Sequence, residues 1–364
     1  MRLLFVSAYY RPHVGGVERF VETLATALAA RGHDVTVVCC NTDAAPARDR
    51  IDGVEVVRVP AWNGLERRLG VPWPVPAPRA LLRALRRDAD LVHAQDVLYA
   101  TSLAALFRAR APVVVTQHVG FVPQRSRVLD AVERAAIRLV RPAARRAVRI
   151  AALTDDVAAW TRRTWGVDAE VLPVGVAPAR AQASRADFGL PEDRFVALFV
   201  GRDVAKKRLD AVLAAAAPEA YELAVVTDRP LGALPGVGGF PFMPPDRLAA
   251  LMSVVDAFVL PSVGEGLPLS LQEAMAAGLP VVTTPGYGFG PDDVLAVEPE
   301  PASIREALRR LAADGALRAR LAERSCAIAK ARFGLESFVD AYEALYHRAV
   351  HSPVDTAGGP SAES

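Results

Sequence analysis

The chain is poor in lysine, cysteine and long apolar runs, and each shortage excludes a class of protein. Of its 43 basic residues only three are lysines, Lys206, Lys207 and Lys330, and the rest are arginine. The three cysteines, Cys39, Cys40 and Cys326, have no metal-ligand spacing, and adjacent cysteines seldom pair with each other. A disulfide framework and a zinc module are therefore excluded, and a reduced, cytoplasmic setting is expected. No run approaches the ~18 apolar residues of a spanning helix. The opening "MRLLFVSAYY" has one basic residue and no small-residue cleavage pattern, so it reads as a buried first strand and not as a signal peptide. That strand also lacks the G-x-G-x-x-G fingerprint, which argues against a dinucleotide-dependent oxidoreductase.

The 364 residues are 52% hydrophobic and 23% charged, the composition of a globular protein too long for one core. Residues 1–180 hold 26 arginines against 17 acidic residues, a net charge of +9, which leaves −7 for the remainder. This split points to an anionic partner for the first half. Along the chain, short β-branched runs alternate with amphipathic stretches. "RLLFVSA", "VERFVETLATALAARGH" and "DVTVVCC" make a βαβ unit, and the pattern repeats through "DLVHAQ", "PVVVTQH" and one long arginine-rich helix near 126–148. Proline, glycine and small residues interrupt it at 173–194, read as a linker. It resumes with "FVALFVG", "YELAVVT", "AFVLPS" and "LPVVTT". The expected organisation is an α/β chain of two Rossmann-like, doubly wound parallel-sheet domains, 1–172 and 195–335. A C-terminal helix at 336–350 and a disordered tail at 351–364 follow.

Ligands of such domains bind beyond the carboxyl ends of the strands. In "GRDVAKKRLD", Gly201, Arg202, Lys206 and Lys207 gather at a strand exit, where two of the three lysines fall. An ammonium beside a forked guanidinium suits a diphosphate, although a solvated basic turn has the same composition. In "SVGEGLPLSLQEAMAAGLPVV", Gly264 and Gly266 let backbone approach a ligand, Pro268 suits a first helical position and Gly278 ends the helix. The free amides around Leu269, Ser270 and Leu271 then form an anion site. Glu265 and Glu273 would repel a diphosphate, so they are expected to accept hydrogen bonds from sugar hydroxyls. Gly15 and Gly16 bring the first helix toward the same anion, and Tyr9 and Tyr10 follow the same strand exit, where they either touch the acceptor or pack in the core. "DAD" at Asp88–Asp90 precedes a strand and reads as a strand-entry turn, so no metal is expected.

Over about residues 1–345 the chain resembles the retaining nucleotide-sugar glycosyltransferases of the GT-B fold, specifically glycosyltransferase family 4. The resemblance is carried by "GGVERF…LAARGHDV", "VVVTQHVG", "LPVGV", "FVGR…KKRLD" and the E-x7-E signature with Glu265 and Glu273. It implies two domains facing each other across a cleft, with the C-terminal helix returning to the first. It implies transfer of a hexose from a nucleoside diphosphate, such as GDP-mannose, UDP-glucose or UDP-N-acetylglucosamine, to a hydroxyl acceptor, with retention and no cofactor. By analogy Arg202 and Lys207 hold the diphosphate, Glu265 the donor sugar and Glu273 the ribose. Gly16, Gly201, Gly266, Leu267 and the 269–271 amides complete the donor cradle. His118 lines the sugar site, and Phe242 and Met243 lie near the nucleobase. The chain departs from the family at Val174 and Ala177, in place of the usual Asn and Asp, and at "TDRP", where the family has a "GDGP"-like turn. These departures motivate a rival reading, a catalytically silent homologue that binds a nucleotide sugar or supports a partner enzyme. An epimerase on the same scaffold is disfavoured by E-x7-E.

Arg127, Arg134, Arg138, Arg141, Arg145 and Arg149 recur at spacings that align them on one face if the segment is a single helix. Such a basic stripe is expected to place the protein peripherally on an anionic membrane at its inner face. No nucleic-acid partner is expected.

Overall fold

The computed structural model describes residues 1–13, 15–69, 73–121, 127–172, 174–176, 182–263, 267–285 and 287–351. The chain divides into two compact units, one of residues 1–175 with the segment from Glu336 onward, the other of residues 176–335.

In the first unit the strands are β1 (Arg2–Val6), β2 (Asp34–Asn41), β3 (Arg48–Ile51), β4 (Val54–Trp62), β5 (Val75–Pro76), β6 (Leu91–Gln95), β7 (Val113–Gln117), β8 (Arg149–Ala152) and β9 (Glu170–Val171). Among the described residues they form one sheet in the order β3-β4-β2-β1-β6-β7-β8-β9, with β5 on β4. All pairings are parallel except β3 and β5 on β4. The central strands β6 and β7 are buried at every position, as expected where helices cover both faces. The helix Gly16–Ala30 buries Phe20, Val21, Leu24, Ala25 and Leu28 along one side. Gly32 then takes φ +86° and ends it, a conformation that favours glycine.

In the second unit β10 (Val196–Val200), β11 (Glu222–Val226), β12 (Val237–Phe240), β13 (Ala257–Leu260), β14 (Val281–Thr283) and β15 (Leu295–Ala296) are all parallel, in the order β12-β11-β10-β13-β14-β15. A parallel sheet carries every strand exit on one edge. That fact positions the residues discussed below.

Two expectations need correction. The segment 182–194 is part of the second unit and not a linker: Phe188 and Leu190 are buried in its core, and Arg185 donates to the carbonyls of Val254 and Pro191 and to the Asp256 carboxylate. Val176 already belongs there, since its N–H donates to Phe333 O at 2.9 Å. Pro173 and residues 177–181 lie outside the described residues. The long arginine-rich helix is two helices, Arg127–Leu139 and Arg141–Ala144, with Pro142 in the first turn of the second. The helical end of the chain is also divided, into Pro301–Ala313, Gly315–Arg332 and Leu335–His351, with Asp314 capping the second of these by accepting Leu317 N–H at 2.9 Å. Residues 352–364, read as a tail, lie outside the described residues.

The helix Leu335–His351 returns to the first unit as the family resemblance implied. Its buried Tyr346 hydroxyl lies 2.8 Å from His93 Nδ1, and His93 Nε2 meets Thr116 Oγ1 at 2.7 Å. Thr116 Oγ1 in turn lies 3.1 Å from the Tyr342 hydroxyl, while the Tyr342 ring stacks on the imidazole at 5.5 Å and Phe20 meets it edge to face. Burial pulls the His93 pKa down to about 3, so the ring is a neutral member of this chain. All four tryptophans, Trp62, Trp73, Trp160 and Trp165, lie in the first unit, so their fluorescence reports its unfolding alone. Tyr346→Phe leaves His93 Nδ1 buried without its hydrogen-bond partner and is expected to lower the stability of this unit by roughly 1–3 kcal/mol. The measurement is the urea midpoint of tryptophan fluorescence; an unchanged midpoint would contradict the assignment.

Candidate active site

The second unit presents its chemistry on the strand-exit edge. Gly201 follows β10 and is buried, Arg202 beside it is exposed, and Lys206 and Lys207 sit half-buried in the short 3-10 turn Ala205–Lys207. A Cβ on Gly201 would lie 3.3 Å from both Lys207 Cδ and Phe199 Cζ. Glycine therefore lets the lysine stem lie across the strand exit. The Lys206 carbonyl accepts Val263 N–H at 2.9 Å, which ties this loop to the one after β13. From the other side the Asp228 carboxylate accepts Asp203 N–H at 2.7 Å, and Arg229 pairs with Asp203 and Asp210 at 3.1 and 3.0 Å. The residues of "TDRP" thus brace the cationic loop.

The helix Leu269–Ala276 begins one residue later than expected: Pro268 is its N-cap and Leu269 its first residue. Leu271 N–H donates to Pro268 O at 3.1 Å, so this amide, expected in the anion cradle, is already bonded, and the Leu271 side chain is core. The amides of Leu269 and Ser270 head the helix, where about half a positive charge resides. Ser270 Oγ donates to Val200 O at 3.3 Å and fixes this end against β10. Leu267 is half-buried and its carbonyl accepts from Gln272 Nε2 at 3.3 Å; Glu273 is half-buried one turn into the helix. Phe242 is 39% exposed beyond β12, whereas Met243 packs on the second core. Gly264, Glu265 and Gly266 lie outside the described residues.

In the first unit the exits of the adjacent strands β1, β6 and β7 bring together the helix N-terminus at Gly16, the pair Gln95–Asp96 and His118. Gly15 is the N-cap in extended conformation, and a Cβ there would collide with the Glu18 carboxylate, while Gly16 has open space around it. His118 N–H donates to Asp96 Oδ1 at 2.8 Å, its Nε2 lies 2.9 Å from Gln95 Oε1, and Phe20 meets its ring edge to face at 4.8 Å. Burial lowers the His118 pKa to about 3. The ring is neutral at ordinary pH and can serve as a hydrogen-bonding group but not as a general acid. Burial pushes Asp96 up to about 7, against the lowering effect of hydrogen bonds from His118 and Val119 N–H and with a further raise from Glu18. Tyr9 and Tyr10, open between acceptor contact and core, are buried: Tyr9 donates to Glu66 Oε2 at 2.9 Å, and the Tyr10 hydroxyl has no partner among the described residues. Their aromatic bulk fills the space beside β1, which burial favours over exposure. Asp90, at the entry of β6, holds Arg2 through its backbone and side chain, the strand-entry role expected of it.

Sequence reasoning passed over Gln95, Asp96, Asp228 and Arg229. The available signal was a polar pair directly after an apolar strand, "LVHAQD" and "AVVTDR".

Both units have the architecture of GT-B glycosyltransferases. Sucrose-phosphate synthase from Thermosynechococcus elongatus is similar with a TM-score of 0.77 at 19% identity, over 96% of this chain and 99% of that one. Anabaena HepE, solved in complex with UDP-glucose, is similar with a TM-score of 0.76 at 18% identity, over 95% and 100%. Within this class, residues 14–180 match Glycosyltransferase Family 4 and residues 194–314 match Glycosyl transferases group 1. The GDP-mannose-dependent alpha-mannosyltransferase of Mycolicibacterium smegmatis is 30% identical over 315 residues, 81% of this chain and 82% of that protein. The putative teichuronic acid biosynthesis glycosyltransferase TuaC of Bacillus subtilis is 26% identical over 352 residues, 85% and 89%. The chain belongs to glycosyltransferase family 4.

Because Asp96 has a folded pKa near 7 against an ordinary value of 3.8, the folded state holds a proton that the unfolded chain releases between those values. Its contribution to stability is complete below about pH 4 and is lost as pH rises through 7. Asp96→Asn keeps the acceptor oxygen without the charge. The variant is expected to gain stability relative to the parent progressively from pH 4 to 8, by on the order of 2–4 kcal/mol at the upper end. Tryptophan-monitored urea curves at several pH values test this, and a pH-independent difference would refute it.

Proposed function

We propose that the protein is a retaining, metal-independent hexosyltransferase that uses a nucleoside-diphosphate sugar as donor and a hydroxyl compound as acceptor. The observation that carries this is the pairing of the Arg202–Lys207 loop with the amide-bearing start of the helix Leu269–Ala276, linked through Val263 and Lys206. Two cationic side chains and two helix amides with no partner among the described residues, on one sheet edge, match the two negatively charged phosphates of such a donor. As the bond from the anomeric carbon to the diphosphate oxygen breaks, negative charge grows on the leaving phosphate. Preorganised donors stabilise it there, which is where electrostatic catalysis contributes most. The acceptor oxygen bonds to the anomeric carbon on the face the phosphate leaves, and its proton passes to a phosphate oxygen, so atoms and charge balance without a protein nucleophile. Glu273 grips the ribose, Glu265 the donor sugar, and Phe242 and Met243 flank the base. On the first unit, neutral His118 is suited to hydrogen-bond a sugar hydroxyl.

A further reading concerns membranes, and it rests on a different feature from the expected arginine stripe. The six arginines do not share one helical face: Arg141 and Arg145 both donate Nε–H to Trp165 O, at 3.2 and 3.1 Å, Arg149 lies in β8, and the Arg127 side chain lies outside the described residues. The helix Arg127–Leu139 instead leaves Val128, Val132 and Leu139 71%, 57% and 81% exposed along one side, with Ile137 buried on the opposite side. Arg138 lies beside the exposed strip, and the Arg134 guanidinium sits over the Phe121 ring at 4.5 Å. An apolar strip with a guanidinium group beside it suits the interface of an anionic bilayer. No helix among the described residues is long and apolar enough to cross a membrane.

Two experiments test these readings. With GDP-mannose, UDP-glucose and UDP-N-acetylglucosamine as donors, at least one is expected to turn over. Lys207→Ala should cut kcat/KM for it by about 10- to 150-fold, the loss of one charge-assisted bond of roughly 1.5–3 kcal/mol. A Lys207→Ala rate equal to that of the parent would remove the proposed site. For the membrane reading, the protein is expected to sediment with vesicles containing anionic lipid, and Val128→Asp with Val132→Asp should abolish it. Equal sedimentation of the double variant would end that idea.

A further inference from the structure

Gln95 is fully buried at the end of β6, and its carboxamide is used unevenly. Oε1 faces His118 Nε2 at 2.9 Å, whereas Nε2 of Gln95 is buried with no partner among the described residues. An unpaired buried amide destabilises a fold, and a leucine of similar size would fill the space without that cost. A feature that weakens the fold calls for a functional reason. The reason lies in the neighbouring ring. A carbonyl oxygen can only accept, so the His118 nitrogen facing it must carry the proton.

We propose that Gln95 is a positioning residue that locks His118 as the neutral Nε2–H tautomer, leaving Nδ1 bare as an acceptor for a sugar hydroxyl. Asp96 completes the arrangement by accepting the His118 backbone N–H at 2.8 Å, and Phe20 holds the ring edge to face. The titratable and charged groups around the ring are Asp96 at the exit of β6, Glu18 on the helix Gly16–Ala30, whose charge bears on Asp96, and neutral His93 on β6. None of these donates to Nδ1. An imidazolium, or the opposite tautomer, would turn Nδ1 from an acceptor into a donor and reverse what the ring asks of a hydroxyl group. The inference rests on the reading of His118 as a donor-site residue, and its first test does not depend on activity.

The full chain labelled with 15N-histidine gives the tautomer of each ring from long-range proton–nitrogen correlation, with the His118 signals assigned by their loss in His118→Asn. Protonated Nε2 and bare Nδ1 between pH 6 and 8 are expected; a protonated Nδ1 overturns the proposal. In Gln95→Leu the tautomer preference should disappear and kcat should fall about 10-fold, with donor KM changed far less, since geometry at the reacting sugar is altered more than donor affinity. Gln95→Glu should draw a second proton onto His118, visible in the same spectra, and confine activity to high pH. A folded Gln95→Leu variant that retains both tautomer and kcat refutes the role of Gln95. Should Gln95→Leu fail to fold, the parent and Gln95→Glu spectra decide. A parent enzyme that turns over no donor would instead indict the functional reading, with the tautomer result standing apart.

Discussion

One backbone hydrogen bond, from Val263 N–H to the Lys206 carbonyl, joins the two loops on which the proposed donor chemistry rests. A solvated lysine and an exposed arginine contribute little by themselves, and a helix terminus acts only over its first turn. Their effects add when they are held at one place. The parallel sheet supplies that place by putting the exits of β10 and β13 side by side, and Ser270, Asp228 and Arg229 restrain the loops further. The anion-binding role proposed for the second unit rests on this convergence.

The two units handle polarity in opposite ways. On the second, cations stand at the surface around small residues. On the first, His118, Gln95 and Asp96 are buried at the strand exits, and burial holds the imidazole neutral and favours the protonated carboxyl. The net charge of the two halves suggests the reverse, since the basic half is the first. Several of its arginines are engaged at home: Arg58 donates to the carbonyls of Arg11 and Pro46, Arg146 to Leu106 O, and Arg11 pairs with Glu22 and Asp52. Net charge counts such groups as free, whereas structure shows which are neutralised locally.

Alternation of β-branched runs and amphipathic stretches was enough to read two parallel-sheet domains, because the strand period and the helix period are physically distinct. The cationic loop, the helix before Gly278 and the returning C-terminal helix were equally legible. What escaped was set by tertiary contact. Phe188 and Leu190 look like stray apolar residues in a proline-rich linker until the second core encloses them. The arginine stripe assumed one helix, but Pro142 starts a second, and the Trp165 carbonyl collects two of the guanidinium groups. The Leu271 amide was assigned to an anion because a sequence cannot say whether Pro268 opens the helix or caps it. Gln95 and Asp96 carry no motif; their meaning comes from the neighbouring strand, which delivers His118 beside them.

The chain leaves the first unit at Gly175 and rejoins it only at Glu336, so the second unit is one uninterrupted stretch inserted into the first. During synthesis from the N-terminus, every residue of the second unit emerges before the helix that carries Tyr342 and Tyr346. His93 Nδ1 and Thr116 Oγ1 therefore wait for their tyrosine partners until the helix Leu335–His351 arrives. Completion of the first unit thus depends on a helix made after the whole of the second, and a chain interrupted before Glu336 would carry a finished second unit attached to an unfinished first one.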